Sequence, residues 1–254
     1  MRFASLGSGS KGNATLVEYG HHCIMIDCGF SIKDCVKRLQ RLGKTPEDIN
    51  AILVTHEHSD HWKGVLPFAM RYDIDVYITS GCLKGANSSL SVYSGLKLID
   101  SHNSFKVGEI EVKPVPVPHD AREPVQYILS SAQHRLGILT DLGSLTPYIL
   151  EQYHQCDGLV IEANHDINLL YAGDYPKFLK DRVASRWGHL NNSQTASLIK
   201  SINQQRLKFL VIAHISQSNN DINTVKSEIE KVVQDTAVIH YATQNNGFDW
   251  LHLT

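Results

Sequence analysis

Short apolar runs closed by turn residues organise the first third of the chain. Arg2–Leu6, Ala14–Tyr19 and Cys23–Asp27 predict three strands, and Ile32–Leu42 predicts a helix that stops at Gly43. A strand over Ala51–Thr55 precedes a histidine-rich segment, a helix follows that segment, and Val76–Thr79 predicts another strand. The middle of the chain is strand-rich: Leu96–Ile99, Ile110–Val117, Val125–Ser131 and Arg135–Thr140. Pro114, Pro116 and Pro118 alternate with valine around the second of these, which argues for an edge or end of a sheet, because proline gives no ladder donor. The last third is mixed. Strands are predicted over Gly158–Glu162, Phe209–Ala213 and Ala237–His240, and helices over 176–186, 193–204 and Val225–Val233. Two successive halves result, each of strands followed by helices. Periodicity alone supports α/β or α+β and goes no further.

The polar residues closing these runs carry the chemistry. Ala51–Thr55 runs into His56-Glu57-His58-Ser59-Asp60-His61, three imidazoles and a spaced carboxylate within six residues. In extended chain, residues i and i+2 point to one side, so His56 and His58 can share a metal. Asp60 and His61 fall where a helix begins and turn toward a second position. Four other apolar runs end in Asp27, His119, Asp141 and His214. Ligands gathered at one end of a sheet share a cleft. Counting donors, His56, His58 and His119 supply one ion, Asp60, His61 and His214 supply another, and Asp141 bridges them. Asp27 is read as orienting the histidine motif from behind. Imidazole and carboxylate without thiolate suit two divalent ions of Zn, Mn or Fe.

Composition narrows the setting. A chain of 254 residues with 42% hydrophobic content has material for a substantial core, and one domain over 1–254 is expected. A net charge of −2 leaves nucleic-acid contact to a local patch. The five cysteines are odd in number and form no C-x-x-C pair, which favours a reducing compartment over a disulfide framework. Met1–Gly7 lacks a signal-peptide apolar region, and no run approaches the roughly 20 apolar residues of a membrane span. A soluble, cytoplasmic protein with no membrane partner is expected. Its oligomeric state, homodimer included, is left open.

The whole pattern resembles the metallo-β-lactamase-fold hydrolases, with H-x-H-x-D-H after a strand and then a distant His, an Asp and a final His. Ser5-Leu6-Gly7-Ser8-Gly9-Ser10-Lys11-Gly12-Asn13, His119–Pro124, Glu162–Asp166, Gly188–Asn192 and Ala213–Asn220 make it similar to the WalJ (YycJ) exonuclease-like subfamily. Asn191 stands where that subfamily usually has Ser, and Cys28 where it usually has Ala. The resemblance implies an αββα sandwich of two packed mixed sheets with helices outside, and a two-metal phosphodiesterase. Its members are 5′-to-3′ DNA exonucleases acting in DNA repair, so DNA is the implied substrate. It also implies a catalytic His189, protonating the leaving oxygen or holding the phosphate, with Glu162 orienting it and raising its pKa. Asp60 can accept a proton from the attacking hydroxide. Whether His189 or His214 completes the second metal set stays open.

Lys177, Lys180, Arg182 and Arg186 form a basic stretch before His189, with three- and four-residue spacing that places pairs on adjoining helix faces. Phosphate contacts are expected at Ser10, Asn13, Lys180, Arg182 and Arg186. Tyr171, Tyr175 and Trp187 are candidates for base stacking, with core packing expected for at least two of them. Asp120, Glu123 and His165 read as structural. The alternative activity is hydrolysis of a small phosphodiester, lactone or thioester on the same dinuclear site. A di-iron redox enzyme would need a flavin domain that this length leaves no room for, and a non-catalytic module commonly loses ligands that survive here.

Overall fold

The computed structural model describes residues 1–86, 93–234 and 236–254. Strands β1 (Arg2–Gly7), β2 (Ala14–Tyr19), β3 (His22–Ile26), β4 (Ala51–Leu53), β5 (Asp75–Thr79) and β6 (Leu96–Ile99) form one sheet. Strands β7 (Phe105–Val107), β8 (Ile110–Pro116), β9 (Val125–Ser130), β10 (Arg135–Leu139), β11 (Gly158–Glu162), β12 (Phe209–Ala213) and β13 (Val238–Tyr241) form the other. The last strand, β14 (Phe248–His252), returns to the first sheet, so the orders are β14-β1-β2-β3-β4-β5-β6 and β13-β12-β11-β10-β9-β8-β7.

The sheets face each other across Phe3, Ile24, Leu53, Tyr127, Val160 and Val211, all buried. Helices cover both outer faces. On the first sheet lie α1 (Ile32–Arg41), α2 (Ser59–Trp62), α3 (Val65–Tyr72) and α4 (Ser80–Gly85); their apolar side chains, such as Leu39 and Phe68, pack with Met25 and Ile52. The second half adds α5 (Pro147–Tyr153), α6 (Ile167–Ala172), α7 (Lys177–Val183), α8 (Asn192–Ser201) and α9 (Ile222–Ile229). Of these, α5, α8 and α9 bury Ile149, Leu198 and Val225 beside Leu159 and Leu210 of the second sheet. This is the expected αββα sandwich.

Mixed strand direction places the functional ends. Strands β3 to β6 pair in parallel, as do β10 to β13. Antiparallel pairing of β9 with both β8 and β10 gives β8 the same direction as β10. The C-terminal ends of β3, β4, β8, β10 and β12 therefore deliver Asp27, His56, His119, Asp141 and His214 to one rim. The parallel strands are buried on both faces, which is why they read as unbroken apolar runs.

Several local features differ from the sequence expectations. The single helix after the histidine motif is two, broken at Gly64, where a Cβ would lie 2.0 Å from the Phe30 carbonyl oxygen. Strands β7 and β14 and helices α4, α5 and α6 were not anticipated, since each is at most seven residues long and offers little periodicity. The proline-rich β8 lies one strand in from the edge. Because β7 pairs only with Ile110–Val112, the prolines fall beyond it, at a local edge. The basic helix stops at Val183, so Arg186 lies outside it. Helix α8 starts at Asn192, one residue earlier than expected. Asn191 is the N-cap, accepting from the Gln194 amide, a task that Ser or Asn can perform. All five cysteines are free and buried, and among the described residues no helix is long and apolar enough to cross a membrane.

Candidate metal centre

Three ring nitrogens converge at the floor of a cleft of about 360 Å³ between the sheet ends. His56 Nε2 lies 3.1 Å from His58 Nδ1, and His119 Nε2 lies 3.2 Å from the same atom. Two of the rings, His56 and His119, are aimed from behind. Thr55 Oγ1 sits 2.9 Å from His56 Nδ1 and donates to Asp27 Oδ2 at 2.7 Å. The Gly188 carbonyl oxygen accepts from His119 Nδ1 at 3.0 Å. With Nδ1 so engaged, both rings present Nε2 to the cleft. Burial, then His61, holds His56 well below its usual pKa, and burial pushes His119 down to about 4. Both rings are thus neutral, the form that binds a metal.

A second cluster adjoins the first. His61 Nε2 lies 3.2 Å from Asp141 Oδ2 and 3.4 Å from Asp60 Oδ2, and His214 Nε2 lies 3.9 Å from Asp60 Oδ2. Donor atoms of His56, His61 and Asp141 fall within 4.8 Å of one another, so the clusters touch through Asp141. Behind His61, Asp27 Oδ2 accepts from Nδ1 at 2.7 Å and Asp27 Oδ1 accepts from the Thr55 amide at 2.8 Å. Burial opposes ionisation of Asp141, yet the imidazoles of His214 and His61 hold its carboxyl well below the usual range. Asp60, likewise opposed by burial, is held down to about 2 by His61 and His214. Burial also works against a charge on His61, but Asp141, Asp60 and Asp27 draw its pKa well above the ordinary imidazole value.

This donor set fits divalent metal ions. Buried carboxylates gathered on imidazoles leave negative charge that a cation balances. Asp141 Oδ2 and His214 Nδ1 are buried without a hydrogen-bond partner; the latter lies 2.9 Å from Asp141 Oδ1 but off the axis of a hydrogen bond.

The backbone aims these side chains. Asp27, Asp141 and His214 adopt φ of 61°, 56° and 46°, the left-handed region that Asp and His tolerate better than most residues. Ser8 Oγ accepts from the His214 amide at 2.9 Å, and Asn164 Nδ2 donates to the His214 carbonyl at 3.2 Å, which pins that turn. Gly29 packs against the Asp60 peptide so closely that a Cβ would lie 1.8 Å from the Asp60 carbonyl oxygen.

Against the second cluster, His189 Nδ1 donates to Glu162 Oε2 at 2.9 Å, and Asp141, Glu162, His189 and His214 each bring a ligand atom within 4.8 Å of the others. Glu162 is fully buried, and its Oε1 accepts from the amides of Leu142 at 2.7 Å and Leu190 at 3.2 Å. Burial lowers the His189 pKa, but the Glu162 carboxylate outweighs it and the net value rises to about 9. The ring therefore carries its proton at neutral pH.

The expected phosphate contacts divide. Ser10 and Arg182 line the cleft. Asn13 is buried and exchanges hydrogen bonds with Gly9, its Nδ2 also lying 3.1 Å from His61 Nε2, so it braces the turn beside the metal cluster. Lys180 Nζ donates to the Tyr171 carbonyl at the end of α6 at 2.8 Å, and Arg186 is exposed away from the wall. Core packing of the aromatics is overturned. Tyr171 is 52% and Trp187 59% exposed, and Tyr175 lines the cleft. Asp120, read as structural, lines the cleft and pairs with Arg182, with its Oδ1 3.7 Å from His58 Nε2. Glu123 does brace α4, accepting from the Gly81 amide at 2.7 Å. His165 is buried with neither ring nitrogen hydrogen-bonded. Sequence reasoning missed Thr55, whose place directly before His56 on a strand end was its only signal.

Asp27→Ala removes the acceptor behind His61 while leaving every metal-facing donor in place. Metal affinity is expected to fall about 10–100-fold, read by competition against a chromophoric chelator. Unchanged affinity would show that Thr55 and packing alone orient these rings.

Comparison with known proteins bears on the same residues. The model of the beta-lactamase superfamily domain matches residues 22–215. The chain is 34% identical over 223 residues to the exodeoxyribonuclease WalJ of Streptococcus pneumoniae, spanning 86% of this chain and 83% of that protein. It is 30% identical over 237 residues to the exodeoxyribonuclease YycJ of Bacillus anthracis, spanning 92% and 90%. In fold it is similar to the metallo-beta-lactamase fold protein YhfI from Bacillus subtilis, with a TM-score of 0.76, 14% identity and 98% of each chain covered. Zn(2+)-bound PqqB from Methylobacterium extorquens superposes over the whole of both chains with a TM-score of 0.75 at 15% identity.

Proposed function

The chain belongs to the metallo-β-lactamase superfamily of metal-dependent hydrolases, in its WalJ and YycJ branch, and from that premise we propose that it is a two-metal phosphodiesterase that digests DNA from the 5′ end in DNA repair. The observation that carries this reading is the adjacency of two donor clusters joined at Asp141, with His189, held by Glu162, beside the second of them in one open cleft. The exodeoxyribonuclease names of the two relatives support DNA as the substrate.

His56, His58 and His119 would hold one ion and Asp60, His61 and His214 the other, with Asp141 between the two sets of donors and Zn, Mn or Fe as the candidate metals. Bound there, divalent ions would lower the pKa of water toward neutrality and polarise the phosphoryl oxygens. The side chains do the rest. Asp60, ionised and on the cleft wall, takes the proton of the attacking water. His189, held through Nδ1 by Glu162, turns Nε2 toward the phosphate and protonates the leaving oxygen. Its positive charge also offsets the charge that develops on the phosphate. Ser10 and Arg182 contact the phosphate from the rim.

Incubation with Mn or Zn against 5′-labelled duplex DNA, beside bis(p-nitrophenyl) phosphate, tests the reading. Nucleotide release from the labelled end that is absent in Asp60→Ala and His119→Ala is the expected result. Turnover of the small ester with DNA left intact would replace the nuclease by a small-molecule esterase on the same centre.

A further inference from the structure

Helix α7 and its flanks leave large aromatic side chains in water beside the cleft. Phe178 is 73% exposed, Trp187 59% and Tyr171 52%. These lie in one stretch of chain that also supplies the cleft residues Tyr175, Leu179, Arg182 and His189. Helical register fixes how two of them relate. Phe178 and Arg182 are four apart and share a face of α7, so the Phe178 ring stands one turn from a guanidinium that lines the cleft. Trp187 immediately precedes Gly188, whose carbonyl accepts from His119 Nδ1. Phe178 therefore sits on the helix that walls the cleft, and Trp187 on the loop that backs His119.

The charges around them select the partner. Between Tyr175 and His189 the chain carries Lys177, Lys180, Arg182 and Arg186 against the single carboxylate of Asp181. Cations alternating with exposed aromatic rings suit a polyanion with flat apolar faces, and paired bases do not offer those faces. A lipid surface or a second copy of the chain would call for a more continuous apolar patch with fewer charges. Depth points the same way. His56, His61, His119, Asp141 and His214 are each 3% exposed or less, below a rim to which α7 contributes. A single strand, narrower and more flexible than a duplex, can carry its terminal phosphodiester down to such a floor while its bases stack at the surface.

We propose that the face carrying Phe178 and Trp187 binds the unpaired end of a DNA strand, stacking its bases on those two rings so that the terminal phosphodiester enters the cleft separated from its complement. This rests on the nuclease reading and adds that the reacting end is single-stranded and held by its bases. Lys177 and Arg186 meet the phosphates between stacked bases, while Lys180 stays tied to α6.

The test uses the full-length, metal-loaded protein and 5′-phosphorylated phosphorothioate oligothymidylate, alone and paired with its complement. Binding of the single strand is expected to quench tryptophan fluorescence, and Trp187→Ala to abolish the quench. Phe178→Ala and Trp187→Ala should each weaken single-strand binding about five- to hundredfold, with the salt dependence unchanged. Phe178→Trp should restore it. Lys177→Gln should instead flatten the salt dependence, by roughly 0.7 in the slope of log K against log salt. Melting temperatures equal to that of the parent protein establish that the variants fold. If DNA is hydrolysed but the aromatic variants bind single strands as the parent does, the stacking face falls and the nuclease stands. If those variants change only the sedimentation of the protein, the face belongs to a second copy and the proposal is overturned. If the parent neither binds nor cuts DNA, the nuclease reading falls first.

Discussion

Asp141→Ala is expected to lower phosphodiester hydrolysis by about 10³-fold or more. Asp141 is 2% exposed at the end of β10, with one carboxylate oxygen 3.2 Å from His61 Nε2 and the other 2.9 Å from His214 Nδ1. Among the described residues it is the one acidic side chain shared by the groups around His56 and His214. Losing it separates the clusters and removes buried negative charge that favours cations. An active-site metal is worth several kcal/mol of charge stabilisation, and about 4 kcal/mol corresponds to a thousandfold in rate. Metal analysis of the purified variant should show less bound ion than in the parent. Asp141→Asn, with nearly the same shape, controls for collapse of the site. Parental metal content together with parental activity in both variants would remove Asp141 from the centre.

His189→Ala is expected to lower kcat about 10²–10⁴-fold with metal content retained. Its Nδ1 is held by Glu162, and although its ligand atom lies within 4.8 Å of those of Asp141 and His214, the donors assigned to the two ions remain when it is lost. Glu162→Gln should act more widely. Glu162 Oε1 accepts from two backbone amides while Oε2 holds His189, so an amide put in its place turns N–H groups toward a donor on one side. A stability loss of about 1–3 kcal/mol is expected, measurable by denaturant unfolding, alongside the fall in kcat. If His189→Ala instead released metal and kept the kcat of its loaded fraction, His189 would be a ligand and the proton donor would lie elsewhere.

The residues gathered at the rim were legible because their strands are. Strands β3, β4, β10, β11 and β12 are almost wholly buried and read as unbroken apolar runs, so the first polar residue after each stands out. Pairing direction was not legible from periodicity, and the sandwich came from the family resemblance. Edge strands β7 and β14 escaped notice because half-exposed short segments carry a weak alternation. Donor commitment was equally hidden. Lys180 and Asn13 look like phosphate contacts in one dimension, and only three-dimensional neighbours show that Tyr171 and Gly9 already occupy them. Exposure of Trp187 and Tyr171 ran against the usual burial of aromatic rings, which is why the sequence pointed to the core.

Left-handed backbone at Asp27, Asp141 and His214 has a consequence for protein design. Grafting these donors onto the strand ends of another sandwich would transfer the chemistry only if the recipient's loops also turned with that handedness at each of the three places. A graft chosen by side-chain identity and spacing alone would present the same atoms pointing outward.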